Sequence, residues 1–259
     1  MISNSQLRSE ARISLGNGKW GIAIGGFLIY VIITQAIGLI PIIGLIGNIL
    51  LGGPFAVGLV YFYLKISRDE QVEIEDLFIA FKNKNQFLAS LVAFLLIIVL
   101  VFPTLFLSLI IWIFLIIGKE SIEKFIESIG QFSGNLNAFN IQTELPLYEP
   151  NVIDSISNDP NWFVIILGFI LVVLIPIIYI NLSISQIYFI IADDENITGL
   201  EAFKKSWRLM KNQKLNFFLL GLSFIGWVIL SILTIFLGFI FLTPYMYTSY
   251  AKFFDNLKK

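Results

Sequence analysis

Four long tracts without a single Asp, Glu, Lys or Arg constrain this chain more than any other feature: residues 20–64, 85–118, 160–192 and 215–251. A helix rises about 1.5 Å per residue and a bilayer core is about 30 Å thick, so about 20 residues cross once. The first tract holds 45 residues and is long enough to cross twice. Its break falls between Gly38 and Asn48, where Pro41, Gly44 and Gly47 interrupt helical hydrogen bonding. The last tract has 37 residues, with a break expected around Leu237-Gly238. The two middle tracts read as single long, tilted or kinked helices containing Pro103 and Pro176. Spans are thus expected near 21–39, 47–64, 87–117, 162–191, 216–236 and 239–252. With 57% hydrophobic residues, 14% charged and a mean hydropathy of +0.86, lipid is the solvent such a surface requires.

Charge placement tests the count of six. Lys and Arg in short loops are retained on the cytoplasmic side. Arg8, Arg12 and Lys19 precede the first span, and Lys65, Arg68, Lys82 and Lys84 follow the second. Lys204, Lys205, Arg208, Lys211 and Lys214 precede the fifth, and Lys252, Lys258 and Lys259 end the chain. Six crossings put 15 of the 17 basic residues on one side. The other two, Lys119 and Lys124, share segment 119–159 with seven acids, so that loop is net -5 and is expected outside. Both termini are then cytoplasmic. The basic N-terminus resembles a secretory signal, but the apolar stretch runs a full span without a small-residue cleavage motif, so it reads as an uncleaved span. Abundant Ile, Asn and Lys suit a bacterial source, and a bacterial cytoplasmic membrane is the expected location.

The absence of His and Cys narrows the chemistry. It excludes histidine general bases and Ser-His-Asp triads, histidine-ligated metals, thiolate nucleophiles and disulfides. No ionisable group lies inside any expected span, where one costs about 2.5 to 3.5 kcal/mol and is kept for function, which argues against proton relays and ion-coupled carriers. Polar residues near or within spans are Asn48, Asn181, Ser183, Ser185 and Gln186, read either as a substrate path or as interhelical hydrogen bonding. Pro54, Pro103, Pro176 and Pro244 mark ordinary kinks or broken helices around a central site. Gly21, Gly25 and Gly26 provide small-residue spacing for close helix packing, internally or in a dimer. Asp193-Asp194-Glu195 is either a divalent-cation site or a solvated acidic turn.

Three segments share one plan, a short amphipathic stretch, a basic and amide-rich turn, then a span. In the clearest, Thr198-Gly199-Leu200-Glu201 has capping-box spacing. Leu200, Phe203, Trp207 and Met210 then recur at helical intervals opposite a basic face, so the helix is expected to lie flat on the membrane. Ile74, Leu77, Phe78 and Phe81 repeat the pattern, as do Leu7, Ala11 and Leu15. Lys204, Lys205, Arg208, Lys211 and Lys214 are the candidate contacts to anionic lipid headgroups, or else serve only to set topology.

The segment 12–20, Gly52-Gly53-Pro54-Phe55-Ala56-Val57-Gly58, Ala192-Asp193, Ala202-Phe203-Lys204-Lys205-Ser206, Met210-Lys211, Ser223-Phe224-Ile225-Gly226-Trp227 and Pro244-Tyr245 resemble landmarks of one bacterial family. It is an integral membrane family catalogued as a domain of unknown function, the nine-seven-five family. The resemblance covers roughly residues 7–85 and 165–255, and the acidic loop looks like an insertion. A more distant similarity links it to the membrane domain found beside some glycerophosphodiester phosphodiesterases. The resemblance implies a multi-pass membrane protein and carries over no catalytic residue.

These readings predict an all-α polytopic transmembrane helical bundle of about six spans, with short amphipathic cytoplasmic surface helices, in a single domain over residues 1–259. The expected function is non-enzymatic, organising or sensing membrane lipids or a membrane-protein partner. Transport or export of a neutral or amphiphilic solute, or service as an accessory subunit of a lipid-metabolising enzyme, are the alternatives. No catalytic residue, cofactor, metal site or nucleic-acid partner is expected.

Overall fold

The computed structural model describes residues 2–39, 43–137 and 166–259, with the side chains of 43, 45, 46 and 115–137 excepted. Among these residues there is no strand. The helices are α1 (Asn4–Gly16), α2 (Trp20–Gly38), α3 (Ile43–Ser67), a 3-10 turn (Ile74–Phe78) running into α4 (Ile79–Lys82), and α5 (Lys84–Asn137). After a π turn (Ile170–Leu174) come α6 (Ile175–Ile184), α7 (Ile187–Asp193), α8 (Gly199–Leu209), α9 (Lys214–Leu222), α10 (Ile225–Leu233) and α11 (Phe239–Leu257). They fall into two compact units, residues 1–100 with 179–259, and residues 101–178.

Among the described residues five stretches are long and apolar enough to cross a membrane: Trp20–Gly38, Gly47–Ser67, Lys84–Phe114, Ile166–Asp193 and Lys214–Leu233. The sixth expected span lies within α11, which has the length but not the apolar composition. Its polar groups face protein: Tyr245, Thr248 and Ser249 are buried, and the Thr248 and Ser249 hydroxyls donate to the carbonyls of Pro244 and Tyr245 at 2.8 Å. The break before α11 falls at residues 234–238, where Ile235 and Phe236 take φ of 52° and 65°. A β-branched residue is strained there, so the turn is held by its surroundings. The Gly238 N–H donating to Thr234 Oγ1 at 3.1 Å is one such hold. Helix α5 continues through Asn137, into the segment expected as a loop, whereas 138–159 lies outside the described residues.

Helix α3 is the centre of the larger unit. Of its spanning window 61% is buried, against 6–17% for the other four, yet it is the least apolar of the five. Lipid-facing surface must be hydrocarbon, whereas the interior of a membrane bundle is built from small and polar-tipped residues that let backbones approach. Leu59, Phe62, Tyr63 and Ile66 of α3 form one core with Leu7, Ala11 and Leu15 of α1, Ala23 of α2, and Leu242, Tyr245 and Phe253 of α11. Tyr63 Oη donates to the Ala23 carbonyl at 2.9 Å, satisfying its hydroxyl inside that core. A Cβ on Gly26 would stand 2.5 Å from the Phe62 ring, so this glycine serves internal packing. Gly21 and Gly25 border open space.

The stripe Leu7, Ala11 and Leu15, expected to rest on lipid, is instead fully buried against protein. Helix α1 lies across α11 and α3. In the smaller unit, Trp112 packs edge-on against Phe169, with ring centroids 5.2 Å apart. The π turn at 170–174 falls where Pro176, lacking an N–H, leaves the carbonyl four residues earlier without its helical partner.

The charged segments meet at one end of the larger unit. Lys19 pairs with Asp69 at 3.2 Å, Lys65 with Asp76 at 2.8 Å, and Lys82 with Glu75 at 3.0 Å. Arg68, after α3, reaches Asp255 of α11 at 2.6 Å and Asp193 of α7 at 2.7 Å, while Lys258 also pairs with Asp193. The hydrogen bond to Asp255, then that to Asp193, raises the Arg68 pKa further above its ordinary value. Arg68→Met would leave two carboxylates short of their shared cation. A loss of about 1–2 kcal/mol is expected, above an ordinary surface pair because the fork engages two helices. A melting temperature in detergent unchanged by the substitution would contradict this role.

Candidate functional site

Helix α8 begins as its spacing predicted. The Glu201 N–H donates to Thr198 Oγ1 at 3.3 Å, and the Thr198 N–H donates to Glu201 Oε2 at 3.1 Å. The Thr198 N–H, together with the Thr198 hydroxyl donating to the same Oε2 at 2.9 Å, holds the Glu201 carboxyl below its ordinary pKa. The helix docks through its small residues: Gly199, Ala202 and Ser206 are buried, with Met210 just beyond. A Cβ on Gly199 would lie 2.5 Å from the Ala89 carbonyl oxygen. Ser206 Oγ donates to the Ser183 carbonyl at 2.9 Å and accepts the Gln186 N–H at 3.3 Å, which ties α8 to the α6–α7 junction.

This docking divides the face expected to lie on the membrane. The stripe Leu200, Phe203, Trp207 and Met210 is split: Met210 is buried, Leu200 is exposed, and Phe203 and Trp207 are part-exposed. The large apolar side chains therefore border an open cavity of about 620 Å³, lined by Leu100, Phe203, Lys204, Trp207 and Arg208. Apolar floor and cationic rim occur in one concavity. Phe203 and Trp207 have ring centroids 6.0 Å apart, and Tyr179 stands edge-on to Trp207 at 6.3 Å.

Of the five candidate headgroup residues, Lys204 and Arg208 rim this cavity, Lys211 is exposed one turn further on, and Lys205 is half-buried. Lys214 is placed differently. Its Nζ lies 3.5 Å from the Tyr179 ring centroid and 5.3 Å from that of Trp207, a cation–π arrangement that engages its charge. No described carboxylate lies within ion-pair distance of Lys204, Lys205, Arg208 or Lys211, in contrast to Lys19, Lys65, Arg68, Lys82 and Lys258. Positive charge left unpaired by the fold on one face of one helix is what an anionic surface requires. Tyr179 was missed at the sequence level, although an aromatic near a span end is the signal that finds it.

Of the remaining candidates, the serine hydroxyls bond within their own turns. Ser183 donates to the Tyr179 carbonyl and Ser185 to the Leu182 carbonyl. Gln186 is buried, and its amide donates to Ser185 Oγ at 3.1 Å. Asn48 and Asn181 are exposed. The acidic triplet does not converge: Asp193 meets Arg68 and Lys258, Asp194 accepts the Asn196 N–H at 3.1 Å, and Glu195 faces Asn83 at 3.4 Å. Among the described residues no group of three acids is placed to hold a metal ion.

Described residues that form helices and no strand, five of those helices apolar and of membrane length, give the chain the build of an integral membrane protein. The chain belongs to the family described as protein of unknown function (DUF975), whose model matches residues 1–259. Comparison with curated proteins and with solved structures returns no match.

Proposed function

We propose that this is a non-enzymatic protein of the bacterial cytoplasmic membrane that senses anionic lipid through α8. Lys204, Arg208 and Lys211 face phospholipid headgroups, and Phe203 and Trp207 sit at the depth where rings bridge headgroup and chain. The observation that carries the reading is a contrast in pairing: Lys19, Lys65, Arg68, Lys82 and Lys258 meet carboxylates at the charged end, whereas Lys204, Lys205, Arg208 and Lys211, clustered on one helix, meet none among the described residues. The chain crosses six times in this reading, with α11 as the sixth span and the charged end cytoplasmic. Gathering the ends of α1, α3, α7 and α11 at one end supports an even number of crossings between them. Among the polar residues that motivate a solute path, Ser183 and Ser185 donate to the Tyr179 and Leu182 carbonyls of their own turns, while Gln186 keeps a buried Oε1 without a partner.

The test uses the full chain with Trp207 as the sole tryptophan, in nanodiscs containing brominated phosphatidylglycerol or brominated phosphatidylcholine. Phosphatidylglycerol is expected to quench at the lower mole fraction. The difference should shrink as salt rises from about 0.01 M to about 1 M, over which the Debye length falls from about 30 to 3 Å. Equal quenching by the two lipids at low salt would sink the proposal.

A further inference from the structure

A second concavity of the larger unit lies between α10 and α11, with Arg12 of α1 and Trp20 of α2 in its lining. Its volume is about 570 Å³, within the about 300–1,000 Å³ typical of small-ligand sites. Trp227 and Leu230 of α10 and Phe241 of α11 form walls that are half or more exposed, so the groove opens sideways to whatever surrounds the helices. Thr234 and Gly238 of the 234–238 turn line its far end. There α10 and α11 approach so closely that a Cβ on Gly238 would lie 2.6 Å from Ser231 Oγ.

The polar groups of the groove are turned inward on their own helix. Ser231 Oγ donates to the Trp227 carbonyl at 2.8 Å, and Thr234 Oγ1 donates to the Ser231 carbonyl at 3.0 Å while accepting the Gly238 N–H. The walls therefore offer an occupant hydrocarbon contact, and a polar ligand would find these hydroxyls already engaged. Only the mouth differs. Arg12 of α1 stands there beside Trp20, its guanidinium 6.0 Å from the Tyr245 ring centroid. No described carboxylate pairs with it. From Tyr245 to Gly238 the helix rises about 10 Å, so a chain anchored at Arg12 has an apolar groove of that length, open on one side.

An apolar groove with one unpaired cation at its mouth is complementary to an amphiphile with an anionic head. Lateral opening towards hydrocarbon favours a lipid already in the bilayer. We infer that this groove binds one acyl chain of an anionic phospholipid, whose phosphate is gripped by the Arg12 fork. The site is separate from α8, does not rest on the reading given to that helix, and is read by different tryptophans.

The test keeps Trp20 and Trp227 and replaces Trp112, Trp162 and Trp207 by Phe in the full chain. Brominated-chain phosphatidylglycerol and phosphatidylcholine are then titrated in nanodiscs. Phosphatidylglycerol is expected to quench saturably, at about fivefold lower mole fraction, the preference one cation near anionic headgroups provides. Arg12→Gln should abolish that preference and Arg12→Lys should retain part of it. Ser231→Phe, which fills the groove, should reduce the quenching amplitude with both lipids. Equal quenching by the two lipids, or a preference that survives Arg12→Gln, overturns the inference. So does an unquenched signal accompanied by a dimer in native mass spectrometry, which would assign the groove to a second copy of the chain. If Ser231→Phe fails to fold, the Arg12 pair still decides.

Discussion

Gly58→Ala is expected to lower the stability of the fold by about 3 kcal/mol or more, the largest single-residue effect in the chain. A Cβ at this position would lie 1.8 Å from the Leu77 carbonyl oxygen and 2.6 Å from its carbon. The obstacle is backbone, so no side chain can swing aside. Relief requires the 3-10 turn Ile74–Phe78 to lift from α3, and that turn carries buried Leu77 and the Phe55–Phe78 edge contact at 6.1 Å. Overpacking a core costs about 1–3 kcal/mol where neighbours yield, and occasionally more. Here the upper end or beyond is expected, against a total stability of only about 5–15 kcal/mol. The check is thermal unfolding in detergent beside Gly226→Ala, whose added Cβ meets nothing within 4 Å. Gly226→Ala should be neutral or stabilising by up to about 1 kcal/mol, since alanine is the better helix former. Equal melting temperatures for the two variants would show that the turn does not pack on α3 as described.

Replacing Lys204, Lys205, Arg208 and Lys211 together by Gln is expected to lower the phosphatidylglycerol preference at Trp207 about a hundredfold. Each basic residue near an anionic surface contributes about 1 kcal/mol, so four give about a thousandfold at most. The expected figure is lower because Lys205 is half-buried and cannot reach the surface fully. The comparison is the double variant Lys19→Gln, Lys82→Gln. These lysines are spent on Asp69 and Glu75, and their loss should leave lipid preference within about twofold. A comparable loss in both variants would mean that total charge matters and the position of α8 does not. Helix content should stay constant throughout, because the capping box at Thr198 and Glu201 is untouched.

Much of the architecture is legible along the chain because its cause is one-dimensional. An uncharged run of membrane length has to be a helix in lipid, since no water satisfies its backbone. The tracts at 20–64, 85–118, 160–192 and 215–251 thus announce spanning helices, with the turn after Leu233 close to the predicted break. The capping box at Thr198 was equally legible, being a contact between residues three apart.

What ran across the chain was not legible. Hydrophobic periodicity shows which residues avoid water but not whether lipid or protein covers them. Leu7, Ala11 and Leu15 were therefore assigned to lipid, although they pack on α3 and α11. The stripe of α8 announces a membrane-facing surface but not the face that docks on protein, which Gly199, Ala202 and Ser206 form. Small residues are the better interior signal, because close backbone approach gives tight packing where hydrophobicity no longer discriminates. Which cations the fold spends on its own carboxylates, as at Arg68, and which it leaves free, as at Arg12 and along α8, depends on residues up to 187 positions apart meeting at one end. Sequence by itself determined that the chain is helical and belongs in lipid, because solvent and backbone hydrogen bonding act residue by residue. Only the tertiary structure decided which charges remain for partners, because pairing is a property of positions in space.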